Sequence, residues 1–340
     1  MRPSLLDRSP EQLVLEVGCT LSEARRALSH LISHGNRDLE GMKRPLSKTL
    51  RAHLLDTYSL ERPKVLRTVE DTVDRSVRTL FELHDGQVVE AVRIPLAKPG
   101  HFSVCLSSQV GCAMRCDFCA TGRLGLTRSL EAWEMVGCWL QIRDEAPGRV
   151  TGAVFMGQGE PFHNYDAVIR AAQRLSAPDG GRIPAKSITI STVGLVPQIR
   201  RYTQEDQPYR LIVSLSSALQ EERRALMPVA GKWKVQELMD TLRERHARTG
   251  RRVTLAWVMM AGVNDTPEQL KALRALIRDT PVRINLIDVN DPREGGYSRL
   301  DAEALERFRD GLSTLGVPIV RRYSVGAESN SACGMLAAQH

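Results

Sequence analysis

Residues 105–122 read CLSSQVGCAMRCDFCATG and hold four of the seven cysteines in a chain of 340 residues. Three of them, Cys112, Cys116 and Cys119, are separated by three and then by two residues. Zinc ribbons and zinc fingers usually supply four ligands from paired Cys or His elements, and no second pair follows here. Three thiolates on one loop suit a [4Fe–4S] cluster in which one iron keeps an open position. The spacing therefore favours an iron–sulfur cluster, with a structural zinc site as the alternative.

From residue 102 onward, short runs rich in β-branched residues alternate with amphipathic helical segments. The predicted strands are 102–108, 150–157, 187–193, 210–217, 253–260 and 282–289. Continuous apolar strands alternating with helices imply a parallel sheet that is covered on both faces. Six such units predict an α/β fold with a partial (β/α)6 barrel, whose functional residues lie at the carboxyl ends of the strands. A doubly wound open sheet is the competing topology.

One of the predicted helices has a well-marked start and a clear buried face. Leu270, Leu273 and Leu276 recur at helical spacing and predict an apolar stripe. Thr266 and Gln269 have the spacing of a capping box, which predicts that the helix begins between them.

The first part of the chain has a different pattern. Residues 1–85 are largely helical in pattern and predict a small accessory domain, with a hairpin linker that extends to about residue 100. The Asp85-Gly86 pair between alternating strands predicts the hairpin turn. The barrel is expected to occupy residues 101–340.

Composition is that of an ordinary globular protein, with 42% hydrophobic and 26% charged residues. No apolar run is long enough to cross a bilayer, and the first residues lack the apolar core of a signal peptide. We therefore expect a cytoplasmic protein, in which clustered cysteines more often bind metal or do redox chemistry than form structural disulfides. The net charge of +7 permits a nucleic-acid partner without establishing one.

The cysteine spacing directly after the first predicted barrel strand resembles that of radical S-adenosylmethionine (SAM) enzymes, and Phe118 matches an aromatic residue usual in that superfamily. Over nearly its whole length the chain is similar to the RlmN/Cfr family of radical-SAM RNA adenine methyltransferases. The resemblance is carried by GQVVEAVRIP (86–95), CLSSQVGCAMRCDFCATG (105–122), VFMGQGEP (154–161), STVGLVP (191–197), INLI (284–287) and ACGML (332–336).

This resemblance implies that Cys112, Cys116 and Cys119 hold a [4Fe–4S] cluster and that SAM binds at its open iron. The positions matching SAM contacts in the family are Gly159, Glu160, Ser191, Ser214, Leu215, Ser216 and Asn290. Taken alone, each of these serines could equally be a solvated residue at a strand end.

The resemblance also implies a use for two further cysteines. Ring carbons C2 and C8 of adenine have no lone pair with which to attack the methyl group of SAM, so direct displacement is unavailable. The family chemistry implies that one SAM methylates Cys333 and that a second SAM yields the radical that activates this methyl group. Cys105 then releases the product from Cys333 through a transient disulfide between the two residues, and Glu90 is the proton acceptor. Cys19 and Cys138 lie in apolar helical patterns and are interpreted as small buried residues.

The implied partners are RNA (ribosomal RNA, transfer RNA or both) and an electron donor such as flavodoxin or ferredoxin, with no membrane. A target adenine is expected in a loop or flipped out of its stack. Cations of the accessory domain are candidates for phosphate contacts, namely Arg25, Arg26, Arg44, Lys48 and Arg51.

The sequence departs from the family pattern at three places beside the expected pockets. Ser216 stands where the family usually has histidine, and Asp288 and Asp291 lie in INLIDVNDP where a proline-rich segment is usual. The segment before the terminal cysteine reads RRYSVGAESNSACG (321–334). The alternatives are a radical-SAM methylase of a peptide or small molecule, and a non-catalytic metal-containing RNA-binding protein.

Overall fold

The computed structural model describes residues 2–291, 293–322, 326, 332 and 334–336. The helices in this part of the chain are α1 (Pro10–Val17), α2 (Leu21–Leu28), α3 (Lys48–Thr57), α4 (Ala120–Leu124), α5 (Ala132–Glu145), α6 (Tyr165–Ser176), α7 (Val196–Gln204), α8 (Gln220–Leu226), α9 (Val235–Thr249), α10 (Pro267–Ile277) and α11 (Ala302–Ser313). The strands are β1 (Lys64–Glu70), β2 (Val77–Glu82), β3 (Val88–Pro95), β4 (His101–Leu106), β5 (Gln109–Gly111), β6 (Leu126–Ser129), β7 (Arg149–Phe155), β8 (Ile188–Thr192), β9 (Arg210–Ser214), β10 (Val253–Met259), β11 (Val282–Asp288) and β12 (Ile319–Arg322).

Ten of these strands form one sheet in the order β1-β2-β3-β4-β7-β8-β9-β10-β11-β12. The pairs from β4 to β12 are all parallel, and the strands of this sheet follow one another in chain order, with β5 and β6 forming a separate two-stranded sheet. A doubly wound sheet reverses its strand order at a switch point, and no reversal occurs here. The partial barrel of six predicted strands is therefore confirmed, with β12 as an additional parallel strand that was not predicted.

The sheet continues from the barrel into three antiparallel strands. β2 and β3 form the predicted hairpin, and Gly86 in its loop has a φ of 80°, which glycine adopts without strain. β3 then pairs with β4, the first barrel strand, so the hairpin is part of the barrel sheet. This edge brings Glu90 on β3 beside the barrel interior.

The N-terminal helices begin at strong caps, and the turn before them, Leu5–Asp7, packs on α5 and α6 of the barrel. Ser9 and Thr20 both form capping boxes, at the starts of α1 and α2. Leu13 and Leu28 belong to the same buried core as Trp139 of α5. The division of the chain at residue 85 stays a prediction.

The predicted stripe of α10 is buried, since Leu273 and Leu276 are 0% and 5% exposed. Only half of the predicted capping box forms. The Thr266 hydroxyl accepts from the Gln269 amide at 3.4 Å, but the Gln269 side chain instead binds Ser217 and Ala218 of the loop after β9. A tertiary partner thus replaces the local one. No helix within the described part of the chain has the length and apolarity required to cross a membrane.

Candidate active site

The three cysteines of the motif lie on a tightly folded loop between β5 and α4. Cys112 directly follows β5, and its amide donates to the Gly125 carbonyl at 2.7 Å. Cys119 is the N-cap residue of α4, and its amide donates to the Cys116 carbonyl at 3.1 Å. A Cβ on Gly111 would lie 1.9 Å from the Gly125 carbonyl oxygen, so the close approach of these segments requires glycine. Backbone contacts therefore hold this loop in place.

All three thiols line one pocket, and their chemistry fits a metal cluster. Burial raises the pKa of Cys112 to about 12 and also raises that of Cys116. Buried thiols of this kind ionise when a metal binds them, because coordination deprotonates a thiol outright. Within the described residues, no three His, Cys, Asp or Glu side chains form a site for one metal ion. An iron–sulfur cluster differs from such a site, because each cysteine binds a separate iron atom.

A buried arginine lies behind the cysteine loop, the segment that holds Cys112, Cys116 and Cys119. Arg223 of α8 is 1% exposed, and its guanidinium donates to the carbonyls of Val193 at 2.7 Å and Ser214 at 3.3 Å. Burial lowers its pKa to about 10, and the charge of Cys116 acts in the opposite direction. The side chain therefore stays cationic at neutral pH and stabilises thiolate at Cys116. Arg223 could not be identified from the sequence, because its role depends on burial.

The rest of the pocket is formed by the carboxyl ends of the barrel strands. The loop after β7 contributes Met156, Gly157, Gly159 and Glu160, and the other strands contribute mostly small or polar residues. The small or polar residues are Ser191, Thr192, Ser214, Ala256, Asp288 and Asn290, and the apolar ones are Val193, Val258, Ile287 and Val289. Barrel enzymes place their reacting groups at this end, as predicted.

Glu160 is the buried acid of this pocket. Its two carboxylate oxygens accept from the amides of Phe162 and Val193, each at 2.9 Å. Burial raises its pKa to about 7, although these hydrogen bonds act to lower it. A carboxylate has about four acceptor sites, so two backbone donors leave capacity for a ligand ammonium. Such a cation would in turn favour the ionised carboxylate.

Gly159 allows the Glu160 loop to approach β5. Its φ is +99°, and a Cβ there would lie 2.6 Å from Cβ and 2.8 Å from the amide nitrogen of Gln109. The Gln109 side chain accepts from the Glu160 amide at 2.9 Å and donates to Ser129 and His163. Gln109 therefore positions the pocket loop. It lies inside the SSQ segment of the cysteine motif, which the sequence analysis quoted without assigning it a role.

The other predicted SAM contacts lie at different depths. Ser191, Ser214 and Asn290 line the pocket. Leu215 packs in the hydrophobic core, so only its backbone could contact SAM. Ser216 is fully buried, has a φ of 54°, and its carbonyl accepts from Asn264 at 2.6 Å. Ser216, which replaces the histidine usual in the family, therefore lies in a fixed turn and does not line the pocket.

Glu90 is fully buried on β3 and has one charged partner. The Arg78 guanidinium donates to one of its carboxylate oxygens at 3.2 Å, and the other oxygen is buried with no hydrogen-bond partner among the described residues. Burial raises the pKa of Glu90 to about 7, and Arg78 partly offsets this effect. The loop after β4 braces the Glu90 backbone, because the Ser107 hydroxyl donates to the Glu90 carbonyl at 2.6 Å. A carboxyl with this pKa can take up or release a proton near neutral pH.

Cys105 lies close to the end of the chain. It is opposite Val92 in the sheet, and the two share a small apolar cluster with Leu336 and Met156. Met156 also lines the pocket, which links this cluster to the cysteine loop. The predicted methyl carrier, Cys333, lies outside the described residues.

The described residues around that position contact the cysteine loop. The Ala120 amide donates to the Gly334 carbonyl at 2.7 Å, and the Thr121 hydroxyl donates to the Leu336 carbonyl. Gly334 also lines the pocket. Cys19 and Cys138 are buried, as predicted.

The two acidic departures at the end of β11 are both neutralised by arginines. Asp288 lines the pocket, and Arg321 of β12 binds its carboxylate at 3.0 Å. The carboxylate of Asp291 is fully buried and is bound by Arg293, which also binds Asp117 of the cysteine loop at 3.1 Å. This pair of contacts ties the cysteine loop to the segment after β11. Neither arginine partner could be identified from the sequence, because both contacts depend on the fold.

A sequence model of the Radical SAM superfamily matches residues 106–277. The chain is 48% identical over 339 residues to a probable RNA methyltransferase of Anaeromyxobacter sp. (strain Fw109-5), with 98% of each chain covered. It is 36% identical to a probable dual-specificity RNA methyltransferase RlmN of Alkaliphilus oremlandii, covering 87% of this chain and 85% of the relative. A crystal structure of a radical SAM methyltransferase from Sphaerobacter thermophilus superposes with a TM-score of 0.90 at 36% identity, covering 99% of this chain and 100% of that one. The chain therefore belongs to the radical SAM superfamily and, within it, to the RlmN/Cfr-like family.

Proposed function

We propose that this enzyme methylates a ring carbon, C2 or C8, of an adenine in RNA, using Cys333 as the methyl carrier. One observation carries the proposal: Cys105 packs with Leu336 and with Met156 of the thiol-lined pocket, and Gly334, next to Cys333 in sequence, lines that pocket and binds the cysteine loop. The names of the relatives support RNA as the substrate class.

The residues that would hold the cofactors follow from the pocket. Cys112, Cys116 and Cys119 are the cluster ligands, and Glu160 receives the SAM ammonium. The remaining SAM contacts are Gly159, Ser191, Ser214, Leu215, Ser216 and Asn290. When bound, the cluster supplies single electrons, and SAM supplies both the methyl group and the radical that activates it, so that two SAM molecules are used per turnover.

The protein's own groups complete the reaction. The Cys333 thiolate accepts a methyl group from SAM and later carries the adenine adduct. The radical adduct loses one electron, which the bound cluster would accept, and the Glu90 carboxylate, which lies against Arg78, takes the proton that the adenine ring loses. The Cys105 thiolate then attacks the Cys333 sulfur, which forms a disulfide between the two cysteines and breaks the carbon–sulfur bond to the adduct. The freed methylene carbon takes up a proton and becomes the methyl group of methyladenine. Reduction of this disulfide by a cellular thiol system restores both thiols.

The RNA is ribosomal RNA, transfer RNA or both, and its backbone meets the cationic N-terminal region. Arg25, Arg44 and Lys48 are exposed there, whereas Arg51 is bound by Glu40. The exposed cations are the better candidates for phosphate contacts, because Arg51 already has a carboxylate partner. The electron donor is a protein such as flavodoxin or ferredoxin, and the site of action is the cytoplasm.

The test is anaerobic incubation of the reconstituted enzyme with SAM, reductant and RNA, followed by mass spectrometry of the nucleosides. We expect 5′-deoxyadenosine and a methyladenosine modified at carbon. Cys105→Ala should accumulate a covalent protein–RNA adduct, since no thiol releases it, whereas Cys19→Ala should behave as the parent enzyme does. The absence of both products from an enzyme with a full iron content would refute the proposal, and so would products from Cys333→Ala at the parent rate.

A further inference from the structure

A second groove lies on the other side of the cysteine loop from the SAM pocket. Met114 lines both cavities, and the segment 113–115 between the first two cysteines forms one wall of the groove. The opposite wall comes from the start of α7 and the turn after α8. Its principal lining residues are Met114, Arg115, Leu195, Val229, Lys232 and Trp233.

The groove carries positive charge without a matching negative charge. Arg115 and Lys232 are exposed, and no acidic residue lines the groove among the described residues. Neither cation has a carboxylate within 4.0 Å in the described part of the chain, whereas other arginines near the cysteine loop, such as Arg123 and Arg293, lie close to carboxylates. The Lys232 ammonium lies 4.8 Å from the centre of the Trp233 ring. Trp233 belongs to the apolar floor of the groove, which also includes Met114, Leu195 and Val229. An apolar floor with unpaired cations matches an acidic partner.

The wall formed by the cysteine loop is held rigidly. Arg115 has a φ of 53°, a left-handed conformation that is uncommon for a non-glycine residue. Gly122 packs behind it so closely that an added Cβ would lie 2.9 Å from the Cys116 carbonyl oxygen. This packing fixes the backbone that presents Arg115 to the groove.

We propose that this groove is the docking site of an acidic electron-transfer protein of the flavodoxin or ferredoxin type. The inference rests on the proposed function, which needs a one-electron donor. A partner seated in the groove contacts the segment 113–115, which joins two of the three cysteines and whose Met114 also lines the thiol-lined pocket. With a flavodoxin, the flavin hydroquinone anion gives up one electron to the cluster and becomes the neutral semiquinone, so no proton moves. Weak redox encounters use small interfaces, and this groove is lined by only 11 residues.

RNA is the other polyanion that these cations could bind, and two observations disfavour it. The predicted RNA-binding cations lie in the N-terminal region, whose turn Leu5–Asp7 packs on α5 and α6. The adenine must also reach the pocket that Gly334 lines, and Gly334 does not line the groove.

The experiment measures binding of a bacterial flavodoxin to the reconstituted enzyme by fluorescence anisotropy at low and high salt. Lys232→Glu should raise the Kd at low salt on the order of tenfold, and Lys232→Gln should have a smaller effect. The matched control is Lys271→Glu, which reverses an exposed charge on α10 outside the groove. The difference between Lys232→Glu and this control should shrink at high salt, because salt screens exposed charges. Binding of an RNA oligonucleotide is measured in parallel.

Product formation driven by dithionite separates this inference from the proposed function. Lys232→Glu should keep the parent rate with dithionite and lose rate with reduced flavodoxin. The docking proposal is overturned if both charge reversals weaken flavodoxin binding equally, or if Lys232→Glu weakens RNA binding instead. If neither the parent enzyme nor any variant makes product with dithionite, but Lys232→Glu still weakens flavodoxin binding, the proposed function fails and the docking site stands.

Discussion

Replacing Glu90 by glutamine is expected to make the protein more stable at alkaline pH and, at the same time, inactive. Burial raises the pKa of Glu90 from 4.5 to about 7. A raised carboxyl pKa means that the folded state keeps its proton where the unfolded state has lost it, so stability falls as pH rises from about 4.5 to 7. The shift corresponds to about 3 kcal/mol in all, of which about 2.5 kcal/mol falls between pH 5 and pH 8. Glutamine carries no charge and avoids this loss.

The assay is urea denaturation of the cluster-free protein at pH 5 and pH 8. We expect the difference in unfolding free energy between Glu90→Gln and the parent to rise by about 2–3 kcal/mol from the lower to the higher pH. Methyl transfer by the variant should fall by roughly 10²–10⁴-fold, as is usual when a general base is removed. Glu82→Gln, at a half-exposed position on the neighbouring strand, controls for the loss of a carboxylate.

Two outcomes would refute this reasoning. If Glu90→Gln is destabilised more at pH 8 than at pH 5, the ionised carboxylate is a net stabilising partner of Arg78, and the burial argument fails. If the variant gains stability and keeps its activity, Glu90 is not the proton acceptor.

Further predictions concern the pocket loop and the buried arginine. Gly159→Ala should weaken SAM binding and lower stability by about 2–5 kcal/mol, from roughly 1–2 kcal/mol of backbone strain and about 1–3 kcal/mol of overpacking against Gln109. The control is Gly262→Ala, because Gly262 also has a left-handed backbone but an added Cβ there meets no atom within 4 Å, so this variant should show the backbone strain alone. SAM binding is measured by equilibrium dialysis, and equal effects of the two variants would contradict the steric argument. Arg223→Met should shift the reduction potential of the bound cluster to more negative values, because a nearby cation is lost. The exposed neighbour Arg224→Met should leave it unchanged, and equal potentials for both in a titration followed by electron paramagnetic resonance would count against the assignment.

The architecture was predictable because the barrel strands are coded locally. A segment such as ITIST in β8 is buried on both faces and therefore consists of apolar or small residues throughout. β12 escaped prediction because IVRR is short and half charged, and its arginine at 321 is explained only by Asp288 on the neighbouring strand. Pattern identifies strands that lie in the middle of a sheet more readily than strands at its edge.

The site was predictable where spacing itself carries the chemistry. Cys112, Cys116 and Cys119 could be identified from the sequence, and the structure brings them to one pocket. Gln109 and Arg223 could not, because each binds a residue remote in sequence: Gln109 accepts from the amide of Glu160, 51 residues away, and Arg223 donates to the carbonyl of Val193, 30 residues away. The predicted role of Gln269 failed for the opposite reason: a local capping pattern was present in the sequence, but the Gln269 side chain forms a tertiary hydrogen bond to Ser217 instead.

The most direct test of the central claim follows the methyl group through Cys333. The enzyme is loaded with SAM whose methyl group is trideuterated, freed of excess SAM, and given RNA and unlabelled SAM for a single turnover. If the methyl group passes through Cys333 and loses one hydrogen to the radical, the methyladenosine carries two deuterium atoms and the third appears in 5′-deoxyadenosine. A product with three deuterium atoms, or with none, would contradict the account.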